Sequence, residues 1–136
     1  MCAETLQDKW VGTPYLLHGR NRWGVDCVGL IHAMYDDVNV RFPGRDIPKS
    51  DTTDLLRILR SQFYVVRDEL EAYDILLYRL EGTAILHAAV CVDKDRFVHI
   101  LGPGRVKVAE VAEWQPQFIK AYRYRGAICQ QQQQRP

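Results

Sequence analysis

Cys27, His87 and His99 are the side chains in this sequence whose types could combine into a catalytic group. A thiolate attacks carbonyl carbons, and a nearby imidazole can take the thiol proton and later return it to a leaving group. A second imidazole can accept a hydrogen bond from the first and fix its tautomer, as the third member of a catalytic triad does. If the fold brings the three together, they predict nucleophilic catalysis.

Cys27 lies at the predicted start of a helix. Apolar residues recur at helical spacing from Cys27 to Val38, and Asp26 is a suitable N-cap. The N–H groups and the positive dipole end of a helix N-terminus lower the pKa of a thiol, so this position favours the thiolate. A free cysteine alone is more often a small buried apolar side chain. The catalytic interpretation therefore depends on a base.

The two histidines fall on adjacent predicted strands. His87 and His99 have the same parity, so they face one side of the sheet if residues 93–95 form a three-residue loop. In that register Ala89 lies opposite His99, and His87 is its diagonal neighbour at roughly 7–8 Å. A two-residue loop would instead place the two rings on opposite faces.

The other histidines and cysteines favour structural roles. His18 lies in a polar loop, where it could contact substrate, but we expect it to be solvated. His32 points about 140° away from Cys27 around the helix axis, and we expect it to be a partly buried histidine with its hydrogen bonds satisfied. Cys91 shares the parity of His87 and is predicted to be a core residue. The four cysteines, at positions 2, 27, 91 and 129, show no paired spacing, so we expect them to stay reduced.

Helices precede strands along the chain. After the Cys27 helix, Asp51 or Thr52 can cap a second helix. Runs rich in β-branched and aromatic residues then predict five strands, at 74–80, 87–92, 96–101, 106–111 and 118–125. This order predicts an α+β domain with helices packed on an antiparallel sheet, and the short links suit a meander.

Composition is that of one globular domain. The chain has 136 residues, of which 47% are apolar and 26% charged. The net charge of +1 offers no basic face for nucleic acid or for a polybasic membrane anchor. We expect a single domain over residues 1–128, a disordered Gln-rich tail over 129–136, and no cofactor or metal.

The N-terminal segment predicts synthesis without a signal peptide. Glu4, Asp8 and Lys9 fall where a signal peptide has its apolar stretch, and no run approaches the ~18 apolar residues of a membrane span. We therefore expect a protein that starts in a cytoplasm and reaches other sites by lysis, in a phage particle or through a secretion system.

Four segments in order resemble the NlpC-type cell-wall endopeptidases, a papain-like family of cysteine peptidases. Residues 24–30 (GVDCVGL) resemble the nucleophile motif, and residues 10–15 (WVGTPY) resemble its lead-in. Residues 74–78 (DILLY) resemble the strand before the base histidine. Residues 87–92 (HAAVCV) and 96–99 (RFVH) resemble the base strand and the orienting residue. The short form, with valine after the cysteine, is most similar to phage-tail and tail-assembly members.

This resemblance implies a papain-like fold and roles for five residues. Cys27 would be the nucleophile, His87 the base and His99 the residue that orients the base. Tyr15 would help bind the oxyanion, and Asp26 would cap the helix and line the substrate pocket. The implied reaction is amide hydrolysis in a peptidoglycan stem peptide, between D-glutamate and a diamino acid, through a thioacyl intermediate. A phage tail or another secretion assembly is the implied partner.

Two departures from the family pattern and two alternatives stay open. Val28 replaces the serine that commonly helps bind a free amine of the substrate, and residues 72–73 (AY) replace a Pro-Gly pair. One alternative is a structural tail-assembly or binding protein that keeps the fold without turnover. The other is a zinc module built from Cys27, His87 and His99, which the lack of a local chelating pair disfavours.

Overall fold

The computed structural model describes residues 9–45, 47, 51–80, 82–83 and 86–126. Its described elements include the α-helices α1 (Cys27–Asp37) and α2 (Thr52–Gln62) and the 3-10 helix Val111–Gln117. The strands are β1 (Arg20–Asn21), β2 (Gly24–Val25), β3 (Phe63–Val65), β4 (Ile75–Arg79), β5 (Leu86–Cys91), β6 (Arg96–His99), β7 (Lys107–Glu110) and β8 (Phe118–Tyr124). The predicted α+β class is confirmed, whereas the predicted tail at 129–136 lies outside the described residues.

Six strands form one antiparallel sheet in the order β3-β8-β4-β5-β6-β7. Strands β4 to β7 are the predicted meander, and β8 returns to pair with both β4 and β3. β1 and β2 form a separate two-stranded sheet. The sequence did not predict β1, β2, β3 or the 3-10 helix, because each is too short to show a clear periodicity.

Both faces of the six-stranded sheet are covered. Side chains from α1 and α2 and from one face of the sheet form the larger core, which includes Ile31, Tyr35, Leu59, Leu77 and Val90. Residues of opposite parity form a smaller cluster on the other face, made of Leu76, Tyr78, Ala89, Cys91, Phe97 and Ala121, with Trp114 and Phe118 packed against it. The predicted burial of Cys91 is therefore confirmed.

Side-chain caps fix where the two α-helices begin. The Asp26 carboxylate accepts a hydrogen bond of 2.7 Å from the backbone N–H of Gly29, so α1 starts at Cys27 as predicted. The Asp51 carboxylate accepts from the N–H of Asp54, whose own carboxylate accepts from the N–H of Asp51. This capping box starts α2.

Gly29 lets the first turn of α1 approach the preceding loop. A Cβ at this position would overlap the backbone oxygen of Gly19, and it would lie 3.1 Å from Oδ1 of Asp26. The glycine two residues after Cys27 is therefore required by a backbone contact. No helix in the described ranges is both long and apolar enough to cross a membrane.

Candidate active site

A cavity of about 290 Å³ lies between the N-terminus of α1 and the start of β5. Cys27, which is partly exposed, and the buried His87 both line it. Its wall also contains the polar residues Tyr15, His18, Asp26, Asp51 and Thr52. The remaining lining residues are Leu17, Val28, Leu80, Leu86, Ile100, Leu101 and Gly102. The structure thus brings together the predicted nucleophile, base, oxyanion residue and helix cap.

Strands β5 and β6 diverge where the thiol approaches the sheet. Their pairing consists of Val90 opposite Val98 and Cys91 opposite Phe97, and it ends there. Ala88 lies beyond the last pair, and its backbone forms a hydrogen bond with the Cys27 sulfur. Cys27 and His87, at the start of β5, therefore line one cavity beside the end of this strand pairing.

His87 and His99 form a buried hydrogen-bonded pair. Nε2 of His87 lies 2.8 Å from Nδ1 of His99, and the ring centroids are 5.1 Å apart. The observed register, with the N–H of Val92 donating to the carbonyl of Arg96, is the one that a three-residue loop predicts. Because Nε2 of His87 is engaged, Nδ1 is the ring nitrogen left for the thiol.

Burial dominates the proton equilibria of this site. It raises the pKa of Cys27 to about 11; the hydrogen bond from Ala88 opposes this rise, and the charge of Asp26 adds to it. The expectation that the position at the helix start leaves the thiol with a lowered pKa is therefore wrong. Burial, helped by His99, lowers the pKa of His87 to about 3. At neutral pH the two groups accordingly rest as a thiol and a neutral imidazole.

Tyr15 is held against the cavity by its neighbours. Its N–H donates to the carbonyl of Gly104 at 3.0 Å, and its ring packs on Gly102, where a Cβ would lie 2.9 Å from Cε1. Burial, with the charges of Asp26 and Cys27, raises the pKa of the Tyr15 hydroxyl. The hydroxyl therefore keeps its proton at neutral pH and remains a hydrogen-bond donor.

Asp26 joins two backbone segments beside Cys27. Oδ1 accepts from Gly29, and Oδ2 accepts from the backbone N–H of His18 at 2.8 Å. The His18 ring is close as well, with Nδ1 3.8 Å from Oδ2. His18 was predicted to be a solvated loop residue; it is exposed but lies on the cavity wall, with φ at 63°. No periodic pattern links positions 18 and 26, so this contact could not be predicted from the sequence.

His32 lies away from the cavity, as predicted, but its surroundings differ from the expected ones. Only 1% of the residue is exposed, and its ring packs edge-on against Phe42 with centroids 5.1 Å apart. Nδ1 of His32 has no hydrogen-bond partner among the described residues, so the expectation of a satisfied histidine is wrong. Burial lowers the pKa of His32 to about 3.

The geometry disfavours the zinc alternative. Nε2 of His87 and Nδ1 of His99 are bonded to each other, so these two atoms cannot both face one ion. Within the described part of the chain, no group of three or more His, Cys, Asp and Glu side chains is arranged to hold a metal.

Trp114, from the 3-10 helix, packs on both histidines and was missed by the sequence analysis. Its ring centroid lies 4.9 Å from that of His99 and 5.8 Å from that of His87. Trp114 falls between two predicted strands, in a segment for which the sequence predicted no element. It therefore carried no signal of its contact with the histidines.

A helix that starts at a partly exposed cysteine and packs on an antiparallel sheet bearing a histidine pair is the architecture of papain-like domains. Residues 12–123 match the NlpC/P60 family, and the chain belongs to that family. It is 26% identical over 118 residues to a protein from Haemophilus influenzae named "Probable endopeptidase", covering 85% of this chain and 66% of the relative. Identity to the Escherichia coli protein named "Murein DD-endopeptidase MepH" is 29% over 119 residues, covering 83% and 41%.

Solved structures show the same fold. The NlpC/p60 domain of the peptidoglycan hydrolase SagA matches with a TM-score of 0.60 and 25% identity, covering 85% of this chain and 90% of that one. A lipoprotein-like member from Staphylococcus aureus subsp. aureus Mu50 matches with a TM-score of 0.62 and 23% identity, covering 88% and 39%. The chain thus spans at most two thirds of the curated relatives named above. The similarity to phage-tail members stays a prediction.

Proposed function

We propose that this chain is a cysteine peptidase that hydrolyses an amide bond in peptidoglycan stem peptides. Cys27 is the nucleophile, His87 the base and His99 the residue that orients the base. The observation that carries the proposal is that His87, whose Nε2 lies 2.8 Å from Nδ1 of His99, lines the same cavity as Cys27. The names of relatives as murein endopeptidases and of SagA as a peptidoglycan hydrolase support the substrate class.

In this mechanism the proton moves as the sulfur attacks. Nδ1 of His87 takes the proton of Cys27 while the sulfur bonds to the peptide carbonyl carbon. The Nε2–H of His87 donates to Nδ1 of His99, which stabilises the imidazolium that forms. Because burial disfavours both charges, the proposed mechanism forms the ion pair together with the attack.

In this proposal two donors bind the oxyanion. Cys27 is the first residue of α1, so its backbone N–H has no partner within the helix. Tyr15 lines the same cavity as Cys27, and its hydroxyl keeps its proton. His87 then returns its proton to the leaving amine, and water, activated by His87, hydrolyses the thioester to release the acid and regenerate the thiol.

Val28, beside Cys27 on the cavity wall, offers no hydrogen bond to a free amine of the substrate. Asp26 lies on the same wall, and each of its oxygens accepts one backbone N–H and can accept a further hydrogen bond. The bond implied by the family resemblance lies between D-glutamate and a diamino acid. The name DD-endopeptidase of two relatives favours a second candidate, a bond between two D-configured residues.

Delivery to the substrate is part of the proposal. Peptidoglycan lies outside the cytoplasmic membrane, so we propose that the protein acts there after delivery by lysis, in a phage particle or by a secretion system. A phage tail is the partner that the family resemblance implies.

Digestion of purified sacculi and of defined stem peptides tests the function, with products identified by mass spectrometry. We expect new termini at one amide bond with the wild-type chain and none with C27A. Cleavage at the D-glutamyl bond or at a D,D-bond distinguishes the two candidates. A folded wild-type protein that leaves both substrates intact would favour the structural scaffold without turnover.

A further inference from the structure

Trp114 covers the hydrogen bond that joins His87 and His99. Its ring meets His99 at 79° with centroids 4.9 Å apart, and it meets His87 at 36° with centroids 5.8 Å apart. It also contacts the rings of Phe97 and Tyr78, which line the same cluster. One indole therefore touches both members of the pair and the two aromatic rings beside them.

The 3-10 helix presents Trp114 to the sheet through its own period. Three residues per turn place Val111, Trp114 and Gln117 on one face, and these three are half-buried while the positions between them are exposed. None of the seven residues of this helix is fully buried. Trp114 is consequently the aromatic side chain through which this segment acts on the histidines.

We propose that Trp114 is a positioning residue: it excludes water from the His87–His99 bond and holds the His99 ring so that Nδ1 accepts from His87. A hydrogen bond between two neutral rings is stronger away from water, because water competes for the same nitrogens. The kinetic part of this inference rests on the proposed peptidase function. Its structural part does not.

The pKa values of His87 and His99 should respond most strongly to the loss of the Trp114 indole. Burial lowers the pKa of His99 to about 4, and Lys107, the cross-strand partner of His99, acts in the same direction. Burial and His99 lower the pKa of His87. Removing the indole would admit water on the side opposite the cavity, and the pKa values of both rings would rise towards that of a solvated histidine, about 6.5.

A purely structural role would affect stability alone, and Phe118 provides the matched control. Phe118 packs against the same cluster, and its ring contact in the structure is with Tyr78, at 5.8 Å between centroids. F118L therefore removes aromatic packing from the cluster without uncovering the histidine pair. W114L removes both the aromatic packing and the contact with the histidine pair. W114F keeps a smaller ring beside the His87–His99 hydrogen bond.

The test is a long-range ¹H–¹⁵N spectrum of the ring nitrogens in the ¹⁵N-labelled full chain, recorded against pH. We expect the ring pKa of His99 to rise by about one unit or more in W114L, by less in W114F, and not to change in F118L. The tautomers of both rings should be mixed in W114L and single in the wild type. This readout needs no turnover, so it stands apart from the outcome of the peptidase assay.

Kinetics supply the second readout if the chain hydrolyses stem peptides. W114L should lower kcat about tenfold or more with KM within about twofold, because an unfixed base is misplaced while substrate contacts remain. If W114L does not fold, the comparison of ring pKa values and tautomers between W114F and F118L decides the question. Equal ring pKa values and single tautomers in W114F, W114L and F118L would overturn the proposal.

Discussion

Nε2 of His87 lies 2.8 Å from Nδ1 of His99, on two strands whose pairing ends just before this point. Where the strands separate, the sulfur of Cys27 reaches the backbone of Ala88. The thiol of Cys27 and the hydrogen-bonded imidazole of His87 thus line one cavity where the pairing of these strands ends. The following outcomes are expected from this arrangement.

Replacing His99 tests whether it orients the base. H99L removes the acceptor for the Nε2–H of His87, so we expect kcat/KM to fall by about 10²-fold or more. H99N keeps a carbonyl acceptor and should retain more activity than H99L. Steady-state hydrolysis of a stem peptide measures both, and equal losses in the two variants would contradict an acceptor role.

Alkylation against pH tests the protonation of Cys27. Because burial raises its pKa to about 11, the thiolate fraction should increase about tenfold per pH unit between pH 6 and 10. The rate of iodoacetamide modification at Cys27, mapped by mass spectrometry, should follow that fraction. A modification rate that has already reached its plateau near pH 6 would instead show that Cys27 and His87 form a thiolate–imidazolium pair before substrate binds.

Buried neutral histidines should make the fold sensitive to acid. The folded-state pKa of His32 is lowered to about 3, below its unfolded value of about 6.5. Between these values the unfolded chain binds the proton and the folded chain does not, so stability falls as the pH falls. At pH 5 this amounts to about 2 kcal/mol for one such group. Urea unfolding should show a smaller loss of stability from pH 7 to pH 5 in H32Q than in the wild type; equal losses would refute this.

Two glycine-to-alanine substitutions distinguish the steric contact at Gly29 from the general effect of replacing a glycine. Alanine normally stabilises a helix relative to glycine by about 1 kcal/mol, but G29A would drive a Cβ into the backbone of Gly19. We expect G29A to lower the free energy of unfolding by about 2–3 kcal/mol. G82A meets no atom within 4 Å, although its φ of 74° is strained, and it should cost about 1 kcal/mol. A stabilised G29A would contradict the contact.

Local chemistry made much of the fold and the site predictable. Asp26 and Asp51 cap helices because a short acidic side chain at those positions can reach the first-turn N–H groups. The placement of His87 and His99 on one face of the sheet follows from their parity and from the three-residue loop between β5 and β6. Both features depend only on residues close in sequence.

Features that depend on distant segments could not be read from the chain. The return of β8 to β3 and β4 and the contact of Trp114 with the histidines join segments far apart in sequence. The pKa of Cys27 was predicted in the wrong direction for the same reason. The helix start is local and favours the thiolate, whereas burial comes from the packed strands and outweighs it.

The most direct test of the central claim compares kcat/KM for stem-peptide hydrolysis in C27A and C91A. Cys91 is the matched control, since it is fully buried in the smaller cluster and has no place in the mechanism. We predict a loss of about 10³-fold or more in C27A and a change within about threefold in C91A. Full activity in a folded C27A would contradict the assignment of Cys27 as the nucleophile.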